Sequence, residues 1–226
     1  MSFPAALIFD MDGLLVDSEP LSEIAMDRFL ARRMLDNDHD LMEQLLGRRL
    51  PEAITIVKAW FELDGDLPAL TAEYADTRLE VLREGMPVMP GAHEIIAWAR
   101  EAGLPCALAT SSLRSHADVS LAAAGLTGQF AAEATGNEVE HGKPAPDLFL
   151  LAAERLEVAP ARCLVLEDAP AGVQAAKAAG MQVVWVPNDY SRDLPTPVEP
   201  DWTAQSLLDV RDRLGILRQS HERTTV

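Results

Sequence analysis

Positive charge is scarce in this chain. Lys and Arg together number 19 against 36 Asp and Glu in 226 residues, a formal net charge of -17 with His neutral. Duplex backbones and anionic bilayers are held by clustered basic side chains, so this balance speaks against a nucleic-acid binder and offers nothing to an acidic membrane surface. Lysine is rarest: Lys58, Lys143 and Lys177 are the whole set. Cysteine is limited to Cys106 and Cys163, both in apolar runs, where the residue acts as a small hydrophobe and not as half of a disulfide. Aromatic residues make up 5%, and Trp60, Trp98, Met86 and Met89 are read as packing residues. His39, His93, His116, His141 and His221 show no paired spacing, which argues against a zinc site. No apolar run approaches a membrane span, and Met1-Ser2-Phe3-Pro4 leads into no signal-like segment. A cytoplasmic protein, monomeric and without a membrane or nucleic-acid partner, is the expectation.

What the chain does have is an ordinary globular balance, 48% hydrophobic and 24% charged, enough for a real core in one domain or two small ones. Its most informative stretch runs from Ala5 to Ser18. Ala5 to Phe9 is a short continuous apolar run, which suits a strand buried on both faces in the middle of a parallel sheet. Asp10 and Asp12 follow at once, on one side of the extended chain by the two-residue period, and Gly13 permits a tight departure. Two carboxylates held together at the carboxyl end of a strand call for a cation or a shared proton. Mg2+, bound by a few carboxylates plus a substrate phosphate, fits the first alternative.

The chain then turns helical. Leu21, Ile24, Ala25 and Phe29 recur at helical spacing behind Asp17-Ser18-Glu19-Pro20; Ile54, Val57 and Phe61 repeat the pattern, and so do Leu70, Tyr74 and Val81. Gly85 to Gly91 breaks helix with two prolines and two glycines and marks a boundary. From Ala92 onward helices and strands alternate: strands at 105–110, 130–135, 163–166 and 182–186, with a last helix at 204–214. The pattern predicts an α/β fold, a doubly wound Rossmann-like parallel sheet with helices on both faces. The polar stretch from Arg218 to Val226 lacks periodicity and is expected to be disordered.

Further motifs follow in order. A run ends in Thr110-Ser111-Ser112; Lys143-Pro144-Ala145-Pro146-Asp147 comes next; Cys163 to Leu166 then ends in Glu167-Asp168. Over roughly residues 5 to 187 this succession resembles the haloacid dehalogenase superfamily of phosphotransferases, with its Asp-x-Asp-Gly, strand-ending Thr or Ser, Lys-Pro, and strand-ending acids. The wording is most similar to the subgroup of β-phosphoglucomutases and small sugar-phosphate phosphatases. The resemblance implies a catalytic core over residues 1–16 and 87–226 and an inserted helical cap domain over 17–86 that closes on the active site.

It also implies a Mg2+-dependent phosphatase of small phosphorylated metabolites, sugar phosphates among them. Asp10 is then the nucleophile that forms an aspartyl-phosphate, and Asp12 the general acid and base. The metal ligands are Asp10, the backbone carbonyl of Asp12, and Asp168, with Glu167 either a ligand or a partner through water. Thr110, the amide of Ser111 at a helix start, and Lys143 bind phosphate, while Asp147 fixes the Lys143 loop by hydrogen bonding. Gly172 lets the next helix approach closely, and Ala169 replaces the small hydroxyl residue often found there. Glu19, Arg48, Arg49 and Arg114 are the candidates for substrate selection. Two alternatives stand beside this reading, a β-phosphoglucomutase-like mutase and a phosphate-binding regulatory module without turnover. Mutases of the subgroup carry His where this chain has Ser22, and Lys where it has Leu113, although Arg114 lies adjacent.

Overall fold

The apolar run at the start of the chain is an inner strand of a parallel sheet, third of six from one edge, and its pairing explains why the acids that follow it matter. In a computed structural model that describes residues 3–45 and 48–224, the strands are β1 (Ala6–Phe9), β2 (Cys106–Thr110), β3 (Ala132–Thr135), β4 (Cys163–Glu167), β5 (Gln182–Trp185) and β6 (Trp202–Thr203). They form one sheet in the order β3-β2-β1-β4-β5-β6, and every pairing is parallel. The chain builds outward from β1 on one side and then crosses back to β4 on the other. The β1/β4 boundary is therefore the topological switch point, where a crevice opens at the carboxyl ends. Phe9 pairs with Leu166, and the Asp10 amide donates to the Leu166 carbonyl (3.0 Å), so Asp10 comes to lie beside Glu167 and Asp168.

Strand alternation divides the core into two layers. Leu7, Phe9, Leu108, Leu164 and Leu166 pack on one face with α5 (Ala92–Glu101), α6 (Arg114–Ala123) and α9 (Leu207–Thr224), through residues such as Ile95, Leu121, Val210 and Leu214. Ala6, Ile8, Ala107, Val165 and Val183 pack on the other with α7 (Asp147–Arg155) and α8 (Pro170–Ala178) through Phe149, Ala152, Val173 and Ala176. A third apolar cluster lies between α1 (Glu19–Ala31), α2 (His39–Leu45), α3 (Leu50–Trp60) and α4 (Leu67–Glu84), centred on Phe29, Leu30, Ile54, Val57 and Tyr74. The two passages of chain joining these helices to the sheet pair with each other. Val16 bridges Val88 antiparallel, Asp17 donates to the Pro87 carbonyl, and Met89 donates to the Leu15 carbonyl (2.9 Å each).

Two expectations need correction. β6 is a sixth strand of two residues, too short to show any alternation, held at the edge by β5 through Val184 and Trp185. The last helix starts at Leu207 and continues to Thr224, so the stretch from Arg218 is helical over its described part, while residues 225 and 226 lie outside the described residues. Val210 and Leu214 anchor it to the sheet. Beyond them Arg218 donates to Glu222 (2.9 Å) and Ser220 to the Ile216 carbonyl (3.1 Å), i,i+4 contacts that carry a polar helix on without burial.

His116 joins the helical layer to the sheet layer. It is buried on α6, its Nε2 lies 3.0 Å from the Ala75 carbonyl on α4, and its Nδ1 is buried without a hydrogen-bond partner. The neutral ring with the proton on Nε2 satisfies this geometry; a second proton on Nδ1 would be buried with no acceptor. Burial, aided by the nearby Arg78 guanidinium, pulls the pKa from 6.5 down to about 4. Because the unfolded imidazole binds a proton first, the stabilisation is fully present above about pH 6.5 and declines as pH falls towards about 4. The loss expected is roughly 3 kcal/mol. Urea unfolding of the protein and of His116→Gln between pH 7 and pH 4 checks this: the stability difference between them should shrink as pH falls, and a difference constant with pH refutes it.

Candidate active site

Four loops at the carboxyl ends of the strands bring the charged residues together. Lys143, in the loop before α7, is buried and donates from Nζ to Asp10 Oδ1 (2.5 Å), Glu167 Oε1 (2.6 Å) and the Ala109 carbonyl (3.3 Å). Its ammonium also lies 4.9 Å from the Phe149 ring centroid. Burial alone would lower the Lys143 pKa, but the Asp10 and Glu167 carboxylates outweigh it and keep the group charged. Asp168 completes the cluster, and oxygens of Asp10, Glu167 and Asp168 all lie within 4.8 Å of one another. Burial and mutual repulsion push Asp10 and Asp168 above the ordinary carboxylate range, with Lys143 only partly offsetting the shift. Three buried acids sharing one ammonium form a donor set of hard oxygens that suits a divalent cation.

Asp12 has a different environment. Its Oδ2 accepts from the hydroxyls of Ser112 (2.8 Å) and Thr110 (3.1 Å), and its Oδ1 from Arg78 Nη2 (3.3 Å). Burial would raise its pKa, but Arg78 and these hydroxyls more than offset it and leave it below the ordinary range. Two aspartates two positions apart are thus driven in opposite directions.

The other expected residues divide into those the structure brings to the pocket and those it does not. A pocket between the strand ends and the helical layer is lined by Asp10, Asp12, Lys143, Ser111, Glu167 and Asp168 on the sheet side and by Glu19, Arg48, Tyr74 and Arg78 on the helical side. Glu19 opens α1, and burial together with the Asp12 charge raises its pKa to about 7. Arg48 is exposed at this wall and donates to the Gln44 carbonyl (2.6 Å); Gly47 before it lies outside the described residues. Asp147 accepts from the amide of His141 (3.3 Å) and lies 3.1 Å from its Nδ1, bracing the Lys143 loop. Ser111 precedes α6 by three residues and does not start it, because Leu113 turns inward against the helical cluster and the helix begins only at Arg114. The Ser111 hydroxyl is buried without a partner. Thr110 lies behind Asp12 with its hydroxyl committed to that carboxylate and to the Ser112 amide (3.1 Å).

Arg49 and Arg114 are elsewhere. Arg114 faces outward to Glu133 (2.5 Å) and Glu138 (2.9 Å), the consequence of Leu113 taking the inward side. Arg49 is held by Glu52 (2.8 Å) and by the carbonyls of Val139 and Glu140.

Sequence reasoning missed Arg78, Ser112 and Asn188. Arg78 sits on the apolar stripe of α4, four residues after Tyr74 and three before Val81, and a charge on a buried stripe is the signal that singles it out. Asn188 follows β5 and donates from Nδ2 to Asp168 Oδ2 (2.9 Å) and to the Gly13 carbonyl (3.1 Å); a polar residue just past the carboxyl end of the neighbouring strand could have been read from its place.

Residues 4–180 match the haloacid dehalogenase-like hydrolase family. The chain belongs to that family. It is 37% identical to a fructose-1-phosphate phosphatase of Escherichia coli over 80% of this chain and 95% of that one. A hexitol phosphatase of the same organism is 33% identical over 93% and 96%. Among solved structures, the CbbY protein of Rhodobacter sphaeroides in complex with phosphate superposes with a TM-score of 0.82 at 27% identity, covering 92% of this chain and 96% of that one.

Close packing behind the acids gives a stability test. A Cβ on Gly172 would lie 1.7 Å from Glu167 Oε1 and 1.9 Å from its Cδ. Alanine gains about 1 kcal/mol in a helix interior, but overpacking a buried carboxylate costs about 1–3 kcal/mol and displaces the partner of Lys143. Gly172→Ala is expected to lower the melting temperature despite the helical gain; an unchanged or raised value in calorimetry contradicts the close packing.

Proposed function

We propose that this protein is a Mg2+-dependent phosphatase of small phosphorylated metabolites, sugar phosphates among them, working through an aspartyl-phosphate on Asp10. The observation that carries the reading is the division of labour between the two aspartates: Asp10 lies against Lys143 in the acidic cluster, while Asp12 is held apart on Arg78, Thr110 and Ser112. The similarity to phosphatases of fructose 1-phosphate and hexitol phosphates supports the substrate class.

Asp10 and Asp168 are the residues that hold the cation, together with the Asp12 carbonyl. Glu167 accepts from Lys143 at one oxygen and from the Ala169 amide (2.7 Å) at the other, which makes it the anchor of the lysine. Mg2+ supplies charge neutralisation for the phosphoryl oxygens and the attacking carboxylate. Lys143 and the unpartnered Ser111 hydroxyl receive the remaining oxygens. In line with Asp10, the phosphoryl group transfers to its carboxylate and the alkoxide leaves with a proton from Asp12. Asp12 then takes a proton from the water that splits the acyl phosphate, a pair of proton transfers worth about 10²- to 10⁴-fold. Its low pKa in the free protein suits the second step; for the first, Asp12 takes up a proton from solvent as the Arg78 guanidinium is displaced from it, and the second step returns that proton to it. Residues 17–86 act as the cap, and Glu19, Arg48 and Arg78 face the leaving group from it.

The mutase alternative loses ground on one specific observation. Ser22 donates its hydroxyl to the Ser18 carbonyl (3.0 Å) within α1, Leu113 packs into the helical cluster, and Arg114 is turned to Glu133 and Glu138. Ser22 and Leu113 line the pocket but bring neither a base nor a charge to it, and Arg114 is held away from it, so none of the three can activate a sugar hydroxyl or hold a second phosphate.

A panel of phosphorylated metabolites assayed for phosphate release with Mg2+ tests the function, and no release from any of them overturns it. Asp10→Asn is expected to keep the fold and reduce turnover to below a few per cent. Asp168→Ala should weaken Mg2+ binding severely in calorimetry, since so few protein groups hold this ion, and unchanged affinity removes it from the metal site. Offered β-glucose 1-phosphate with a bisphosphate activator, the enzyme should release phosphate with negligible glucose 6-phosphate; isomer formation outpacing hydrolysis favours the mutase.

A further inference from the structure

Arg49 opens α3 as its N-cap residue, ahead of Leu50 and Pro51, and its side chain reaches from the helical layer to the loop before Lys143. Nη1 donates to the carbonyls of Val139 (3.2 Å) and Glu140 (3.0 Å), while Nε and Nη2 donate to Glu52 Oε1 (2.9 and 2.8 Å). Glu52 thereby fixes the guanidinium plane and the other edge is presented to the loop. The stem lies flat on Gly142: a Cβ there would meet Arg49 Nε at 2.6 Å, Cδ at 2.7 Å and Cγ at 2.9 Å, all from this one side chain. Gly142 is not among the glycines with positive φ, so its backbone admits alanine, and the three nearest obstacles to a Cβ all belong to Arg49. The next residue is Lys143, whose Nζ bridges Asp10 and Glu167.

We propose that Arg49 is a positioning residue for Lys143. It interlocks with the loop from Val139 to Gly142, so that the lysine is held against Asp10 only while the helical layer is seated on the sheet layer. A guanidinium fits this task better than an ammonium because its planar fork engages Glu52 and two carbonyls at once. The interlock ties the phosphate-binding charge to closure of the pocket, and only its kinetic consequence rests on the phosphatase reading.

The test uses the full chain and four variants, Arg49→Gln, Arg49→Ala, Gly142→Ala and the double variant Arg49→Ala/Gly142→Ala, with Arg49→Lys as the conservative replacement. Amide hydrogen exchange over residues 139–146 should quicken at least tenfold in Arg49→Gln and less in Arg49→Lys, with α5 and α9 unaffected. Gly142→Ala alone should lower the melting temperature, and adding Arg49→Ala should restore part of the loss, since the clash goes with the side chain. With an accepted substrate, kcat/KM should fall about tenfold in Arg49→Gln and recover partly in Arg49→Lys. Unchanged exchange in the loop, or melting shifts that simply add, overturns the interlock. If no phosphomonoester is hydrolysed, the functional proposal fails while exchange and melting still decide this one.

Discussion

One ammonium, Lys143 Nζ, lies 2.5 Å from Asp10 and 2.6 Å from Glu167 with Asp168 beside them, all buried. Removing such charges from water costs several kcal/mol per ion even after relaxation, and the mutual attraction rarely returns more than that. A fold seeking stability would have filled the crevice with leucine. The cluster persists because the frame around it is over-determined: β1 and β4 are fixed by four register pairs, Gly172 lets α8 close down on Glu167, and Asn188 ties Asp168 to Gly13. Strain of this electrostatic kind collects at functional sites. Three acid oxygens gathered in this way form a donor set that suits a divalent cation.

The separation of Asp10 from Asp12 follows from where the chain goes after β1. Asp10 ends the strand at the switch point and meets the neighbouring strand's acids. Asp12, past the turn, faces the end of β2 and the wall of α4, where two hydroxyls and a guanidinium await it. Pairs of titratable groups with opposed environments are how a single site assigns nucleophile and proton carrier without confusion. The same arrangement shows why Thr110 stands behind Asp12 and not on the pocket wall: the hydroxyl that a strand-ending threonine offers has been taken by the carboxylate in front of it.

The sheet was legible in the sequence because its strands are short apolar runs with no competing helical period, and the motif order singled out Asp10, Lys143, Glu167 and Asp168. β6 was not, since two residues carry no period. The helical continuation past Arg218 was hidden for the opposite reason, being stabilised by local side-chain bonds that leave no apolar stripe. Arginines were the hardest to assign. Arg48, Arg49 and Arg114 look alike in sequence, and long side chains reach across elements to partners that only the tertiary arrangement supplies. Leu113 turning inward decided the fate of Arg114, and the glycine at position 142 that of Arg49.

A chain of net charge -17 repels phosphate at long range, so attraction has to be built within the pocket. Its walls carry five acids, Asp10, Asp12, Glu19, Glu167 and Asp168, against three bases, Arg48, Arg78 and Lys143. One divalent cation balances that difference formally before any substrate arrives. Two of the three bases belong to the helical layer. With that layer lifted, the sheet side keeps four acids and one lysine, and even a bound cation leaves it net negative; with the layer seated, the charges match and water is displaced from between them, which strengthens each remaining interaction. The helical layer therefore supplies two of the pocket's three bases as well as a wall around it.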